Sequence, residues 1–271
     1  MPELPEVETI LRGLEPYLNN GVIKEITTHR ADMRIPFPPE FKGWKNIRIE
    51  KIRRRAKYII LELANGYAIL IHLGMSGKLL LRNSCNAPAK HDHIDFILEN
   101  NKRITLNDPR RFGLVTICNS SNINDHKLLS HLGPEPLTDS FNTKYLFNII
   151  YKRKKPIKTL IMDNSVVVGV GNIYACESLF RSRIHPQTQV NKLSKEKVDL
   201  LVKNLKDVLS EAIQAGGSTL KDYAKLDGKS GYFQHNFAVY NQKKCKTCSN
   251  NIEKLTQSGR TTFFCPSCQI I

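Results

Sequence analysis

The chain has 271 residues, 41% of them hydrophobic, and a formal net charge of +16 with a pI near 9.6. The length suggests two domains, the apolar content excludes a disordered polymer, and the surplus of Lys and Arg predicts a polyanionic partner, with DNA and RNA equally served by charge alone. The longest apolar runs, AILIHLGM and VVVGV, fall short of the roughly 20 residues that cross a bilayer. The N-terminus lacks a basic segment followed by an apolar one. Seven cysteines, an odd number, do not make a secreted disulfide framework, so a cytoplasmic protein with reduced thiols is expected.

The first segment, MPELPEVETI, predicts a helix from Pro5 onward. Proline suits a first helical position, Glu6 and Glu8 suit the positive end of the helix dipole, and Val7, Ile10, Leu11, Leu14 and Leu18 share one face. That leaves Met1, Pro2 and Glu3 without a structural task. A small residue after Met1 favours its removal, which would leave Pro2 as a secondary α-amine. Such an amine has a pKa of about 7.7–8.0, against about 10.4 for lysine, and is partly neutral near pH 7 without burial. A secondary amine condenses with a sugar carbonyl carbon to an iminium, an electron sink for elimination, and Glu3 beside it can exchange a proton.

Strands follow. KNIRIEKI, KYIILEL and YAILIHL are rich in β-branched and aromatic residues, and HIDFILENNKRITLND reads as a hairpin around Asn100 and Asn101. RRRAKYIILEL sets Lys57 at the head of a strand. HLGMSG presents Met75 on a glycine-flanked loop, and DPRRFG sets Arg110 and Phe112 in a turn. Core packing is the ordinary use of Met75 and Phe112, but an apolar wedge beside a cation is what unstacking a base step requires.

HLGPEPL, residues 131–137, reads as a linker, after which the pattern turns helical. YKRKKPIK packs five basic residues into eight, either a solvated run or a backbone-gripping patch. VVGVGNIYACESLF lacks the third glycine of a dinucleotide fingerprint. It reads instead as a glycine turn that delivers Asn172 to a helix start, where an amide and free N–H groups can cap the helix or hold a phosphate. In LSKEKVDLLVKNLKDVLSEAIQAGG, Ser194 is the N-cap, an apolar stripe from Val198 to Ile213 faces a core, and Gly216 with Gly217 ends the helix. At the C-terminus CKTC, sixteen residues and CPSC bring Cys245, Cys248, Cys265 and Cys268 to the spacing of a structural zinc site with no open position, redox-active dithiols being the alternative. The enclosed hairpin carries Arg260 at its tip, suited to a phosphate. Cys85, Cys118 and Cys176 have no such spacing and are expected to be buried.

MPELPEVET, RRAKY, HLGMSG, KHDHIDF, DPRRFG, HLGPEPL, VVGVGNIYACESLF, GGSTLKDY and the four-cysteine finger, in order from Met1 to the last cysteine, together resemble the formamidopyrimidine-DNA glycosylase family. Leu4 stands where sister enzymes of the endonuclease VIII type usually carry glycine, which favours the purine-directed branch. The resemblance implies an α+β fold: an antiparallel β-sandwich with a flanking helix (1–131), a helical domain with a helix–two-turn–helix element (132–230) and a zinc-finger β-hairpin (231–271), working as a monomer with duplex DNA in the interdomain cleft. It implies excision of oxidised purines, 8-oxoguanine and formamidopyrimidines, then strand cleavage at the abasic site by β,δ-elimination, with one structural Zn²⁺. Pro2 would be the nucleophile at the deoxyribose C1′, Glu3 the acid in ring opening, Lys57 a proton donor, and Arg260 a phosphate grip in the late elimination. His91, Lys154 and Asn172 would hold DNA backbone. Met75, Arg110 and Phe112 would fill the gap and meet the orphaned base, with a lesion-covering segment near GGSTLKDYAKLDGKSGYF. Cys176 sits where a small residue such as serine is expected.

Overall fold

The computed structural model describes residues 2–151, 153–218 and 232–270. The chain divides into two compact units, one built on the first 130 residues and joined again by the segment from Gly216, the other on His131–Ala215 and Phe233 onward. Most of the segment expected to cover a lesion, residues 219–231, lies outside the described residues, as does Met1.

In the first unit, α1 (Leu4–Leu18) starts one residue earlier than the proline pattern predicts, because Glu3 and Glu6 form a capping box. The Glu3 N–H donates to Glu6 Oε2 at 2.9 Å, satisfying a donor that a helix start would otherwise leave open. Glu3 therefore has a structural task after all. Eight strands follow: β1 (Val22–Thr28), β2 (Lys45–Arg55), β3 (Tyr58–Leu63), β4 (Tyr67–His72), β5 (Lys78–Asn83), β6 (Asp92–Leu98), β7 (Lys102–Asn107) and β8 (Leu114–Asn119). They hydrogen-bond in the order β5-β7-β6-β1-β2-β3-β4-β8, each neighbouring pair antiparallel. One buried cluster takes Ile94, Phe96 and Leu106 from one half of that order, Ile59, Ile69 and Val115 from the other, and the α1 stripe Val7, Ile10, Leu14 and Leu18. The two halves thus close a sandwich on a common core. The β6–β7 hairpin turns at Asn101, whose φ of 59° is the left-handed value that asparagine tolerates.

The second unit holds α2 (Thr143–Ile150), α3 (Ile157–Ile161), α4 (Asn172–Arg181), the long α5 (Lys195–Gln214) and the hairpin β9 (Glu253–Gln257) and β10 (Arg260–Phe264). Ser194 caps α5, its side chain accepting the Lys197 N–H, and Val198, Leu201, Leu205, Val208 and Leu209 are buried as the stripe predicts. Cys176 is buried, but Cys85 is exposed and Cys118 half-buried. Cys85 lies in the loop after β5, where apolar character alone gives a residue nothing to pack on.

Candidate active site

In the first unit the antiparallel register gathers the candidates at one end of the sheet. Tyr58 pairs with His72 and His72 with Leu114, so the turn before β3, the loop after β4 and the loop before β8 lie together. These carry Lys57, Met75 and Phe112. Asn107 pairs with Lys78 and Asp92, which adds the ends of β5, β6 and β7, and with them Ser76, Asp108 and His91.

Lys57 is only 9% exposed, and Ala56 before it has the left-handed φ of 54° that turns β2 into β3. Arg54 ties this turn to the first helix: its Nε donates to Glu8 Oε2 at 2.8 Å and its Nη1 to the Ala56 carbonyl at 2.9 Å. Burial pushes the Glu8 carboxyl up, but its bonds to Arg54 and Arg12 outweigh that and hold it below the usual carboxylate range. Pro2, just before the cap of the same helix, is buried.

Met75 and Phe112 are not core residues. They are 38% and 44% exposed, and the Arg110 guanidinium lies 5.0 Å from the Phe112 ring centroid. Asp108, fully buried, joins their two turns. Ser76 Oγ donates to Asp108 Oδ1 at 2.5 Å, the Arg110 N–H reaches the same oxygen at 3.2 Å, and the Gly113 N–H donates to Oδ2 at 2.8 Å. His91, at a φ of 71°, accepts the Asp108 N–H on its carbonyl at 3.0 Å. Asp108 is a residue that reading DPRRFG for its cation and ring passed over, although an aspartate that opens a Pro-containing turn is a recognised binder of backbone N–H groups.

At the start of α1, Glu6 Oε1 accepts both the Ser218 N–H at 2.8 Å and its hydroxyl at 2.9 Å. Glu6 is therefore a fixed acceptor as well as a cap, which helix periodicity alone does not reveal.

In the second unit Asn172 is the first residue of α4 and Gly171 its N-cap, so the amide does not cap the helix. Asn172 Oδ1 accepts Lys158 Nζ at 2.6 Å and its Nδ2 donates to the Thr261 carbonyl at 2.8 Å, bridging α3 to the hairpin. Lys158 is 1% exposed and also donates to Thr262 Oγ1 at 2.8 Å. Within YKRKKPIK it is thus Lys158 that the fold places beside Asn172, whereas Lys154 is exposed. The apolar residues around it, Ile157, Leu160 and Ile161, are the signal that this lysine sits on a buried turn. Lys155, Lys158 and Arg260 line one cleft of about 250 Å³. Arg260 is exposed just past a two-residue turn, Ser258 and Gly259, in which both φ values are positive as a tight hairpin requires.

The four cysteine sulfurs lie within 4.8 Å of one another, with Cys245–Cys268 at 3.9 Å and Cys248–Cys265 at 3.4 Å. A tetrahedral Zn²⁺ with Zn–S bonds of about 2.3 Å needs sulfur separations of about 3.8 Å. The Thr247 N–H, which donates to Cys245 Sγ at 3.4 Å, suits a thiolate. The donor set fits zinc, and four protein ligands leave no position for a reacting molecule.

Three family models match in chain order: the formamidopyrimidine-DNA glycosylase N-terminal domain over residues 1–115, the H2TH domain of the same proteins over 132–224, and a zinc finger found in FPG and IleRS over 242–270. The formamidopyrimidine-DNA glycosylase of Roseobacter denitrificans is 45% identical over 99% of this chain and all of its own length. That of Saccharophagus degradans is 46% identical at the same coverage. Among solved structures, the MutM (Fpg) protein of Thermus thermophilus aligns with a TM-score of 0.89 at 36% identity, covering 99% of this chain and 98% of that one. A Lactococcus lactis Fpg variant in complex with a Fapy-dG containing DNA aligns at 0.92 and 32% identity, covering 99% of each chain. The fold and the four-cysteine finger are those of a DNA-repair glycosylase with a structural zinc. The chain belongs to the formamidopyrimidine-DNA glycosylase family.

Proposed function

We propose that this chain excises oxidised purines, 8-oxoguanine and formamidopyrimidines, from duplex DNA and then cuts the strand by β,δ-elimination, working as a monomer in the cytoplasm on chromosomal DNA. The observation that carries the reading is the pair of turns bearing Met75, Arg110 and Phe112. Two exposed apolar side chains and a cation stand there on turns tied together by the buried carboxylate of Asp108, in a chain of this family.

With Met1 removed, the Pro2 nitrogen attacks C1′ of the damaged nucleotide as the base leaves, giving an iminium after the sugar ring opens. Glu3 supplies the proton for ring opening. Loss of the C2′ proton expels the 3′ phosphate, and a second elimination expels the 5′ phosphate. Lys57, largely buried at the turn into β3, serves these proton transfers. Arg260 grips phosphate from the exposed side of its cleft, and Asn172 and Lys158 back it, Lys158 replacing Lys154 on the strength of its place in the fold. His91 holds backbone beside the wedge. Extruding a nucleotide costs a few kcal/mol, and a side chain stacked in the void recovers about 1–3 kcal/mol by analogy with base–aromatic stacking, so wedge and pocket contacts act together.

Borohydride should trap a covalent adduct between the chain and an 8-oxoguanine duplex, and Pro2→Gly should reduce its yield sharply. An adduct of unchanged yield in Pro2→Gly removes the nucleophile assignment. A preference for oxidised pyrimidines removes the purine assignment.

A further inference from the structure

The loop that presents Met75 depends on a glycine in an unusual conformation. Gly74 has a φ of +63°, and a Cβ built on it would lie 2.3 Å from the Phe112 carbonyl carbon and 2.5 Å from the Gly113 nitrogen. The Met75 turn and the Phe112 turn therefore meet backbone to backbone, at a spot where only glycine fits. Glycine visits both signs of φ freely, so something besides its own preference must hold it there. A hydrogen bond does so: the Gly74 N–H donates to His72 Nδ1 at 3.0 Å.

His72 is suited to hold still. It ends β4, is paired on both sides with Tyr58 and Leu114, and its ring lies 4.9 Å from that of Tyr58. We propose that His72 is a positioning residue for the wedge: its Nδ1 fixes the left-handed turn at Gly74 and so sets Met75 and Phe112 at a single separation before DNA arrives. An N–H donor at Nδ1 requires the lone pair there, so the tautomer is the one protonated at Nε2. Burial, then the nearby charges of Lys57 and Arg34, lower the imidazole pKa to about 4, which keeps that lone pair available throughout the neutral range. The inference rests on the wedge reading of Met75, Arg110 and Phe112.

The two amide isosteres of histidine separate this role from any contact made by Nε2. In asparagine the amide oxygen stands as many bonds from the backbone as Nδ1 does. In glutamine the terminal amide stands where Nε2 does. His72→Asn, His72→Gln and Met75→Ala would be compared with the parent chain for excision from an 8-oxoguanine duplex and for cleavage of a duplex bearing a preformed abasic site, where no base needs extruding. Hydrogen exchange at the Gly74 amide would be followed alongside. His72→Gln should lose excision roughly ten- to hundredfold, the scale on which small misplacements of positioning groups act, as should Met75→Ala, with abasic-site cleavage much less affected. His72→Asn should restore excision and Gly74 protection, and His72→Gln should lose that protection. Full activity and full Gly74 protection in His72→Gln, or loss in His72→Asn with retention in His72→Gln, would overturn the proposal. A Met75→Ala variant that excises normally would instead remove the wedge reading, and the Gly74 exchange rates would still decide whether His72 fixes the turn.

Discussion

Lys158 belongs to a basic run and yet its ammonium is buried, bonded to Asn172 Oδ1 at 2.6 Å and Thr262 Oγ1 at 2.8 Å. A buried charge with both partners in place raises the local potential without the entropy cost of a swinging surface lysine. Lys158→Ala should weaken binding to duplex DNA about tenfold by unseating Asn172 and the hairpin that carries Arg260, with little change in the log–log salt slope because the ammonium is buried. Lys154→Ala should change affinity less than about threefold, the modest effect of one exposed charge. Fluorescence titrations at several salt concentrations check both, and equal losses would return the assignment to the run as a whole. His72 makes the other residue-scale prediction. Its folded pKa is lowered from 6.5 to about 4, so between those values the unfolded chain binds a proton that the folded chain refuses. The stability it contributes is present above pH 6.5 and is lost as pH falls toward 4, by about 3 kcal/mol at about 1.4 kcal/mol per pKa unit. Urea unfolding followed through Trp44, the single tryptophan, should show this extra loss in the parent chain and not in His72→Asn.

The elements are held by carboxylates placed where backbone N–H groups converge. Asp108 does this for the turns that carry Met75 and Phe112, and Glu177, on α4, for the segment leading to the finger, accepting the N–H groups of Ala238, Val239 and Tyr240 at 2.8, 3.0 and 2.8 Å. Burial pushes the Glu177 carboxyl up despite those three donors. A buried N–H left without an acceptor costs about 1–3 kcal/mol, so Glu177→Ala should destabilise the second unit by about 3 kcal/mol or more in thermal or urea unfolding. Asp108→Ala unties Ser76, Arg110 and Gly113 together. It should lower 8-oxoguanine excision roughly tenfold or more, with a smaller effect on a preformed abasic site; equal loss on both substrates would mean that the turns serve stability alone.

At the scale of the whole molecule, the net charge of +16 favours a polyanion, and the zinc finger over residues 242–270 is the element whose share in DNA binding can be tested by removing its metal. The finger packs Ile252 and Phe263 with Cys245 and Cys265 against Cys176 and Phe180 of α4, and a zinc held by the four cysteines would tie the hairpin ends together. Chelating the zinc should therefore abolish binding to a lesion duplex while the β-sheet signal of the first unit persists in circular dichroism. Persistent binding without zinc would place the affinity elsewhere. Among the described residues no helix is long and apolar enough to cross a membrane.

Much of this protein is legible as local pattern. The β6–β7 hairpin, the α5 stripe from Val198 to Ile213 and the spacing of the four cysteines depend on neighbours a few residues apart, and periodicity and turn chemistry report such relations directly. The chain also states its family through the order of its motifs. What only the tertiary structure decides are the pairings across long separations: Asp108 with Ser76, Lys158 with Thr262, Glu177 with the backbone at 238–240. The same applies to the exposure of Met75 and Phe112 and of Cys85, since burial is set by what other strands and turns bring against a side chain. A one-dimensional pattern records a residue's chemistry, and a donor finds its acceptor only when the sheet register has placed them side by side.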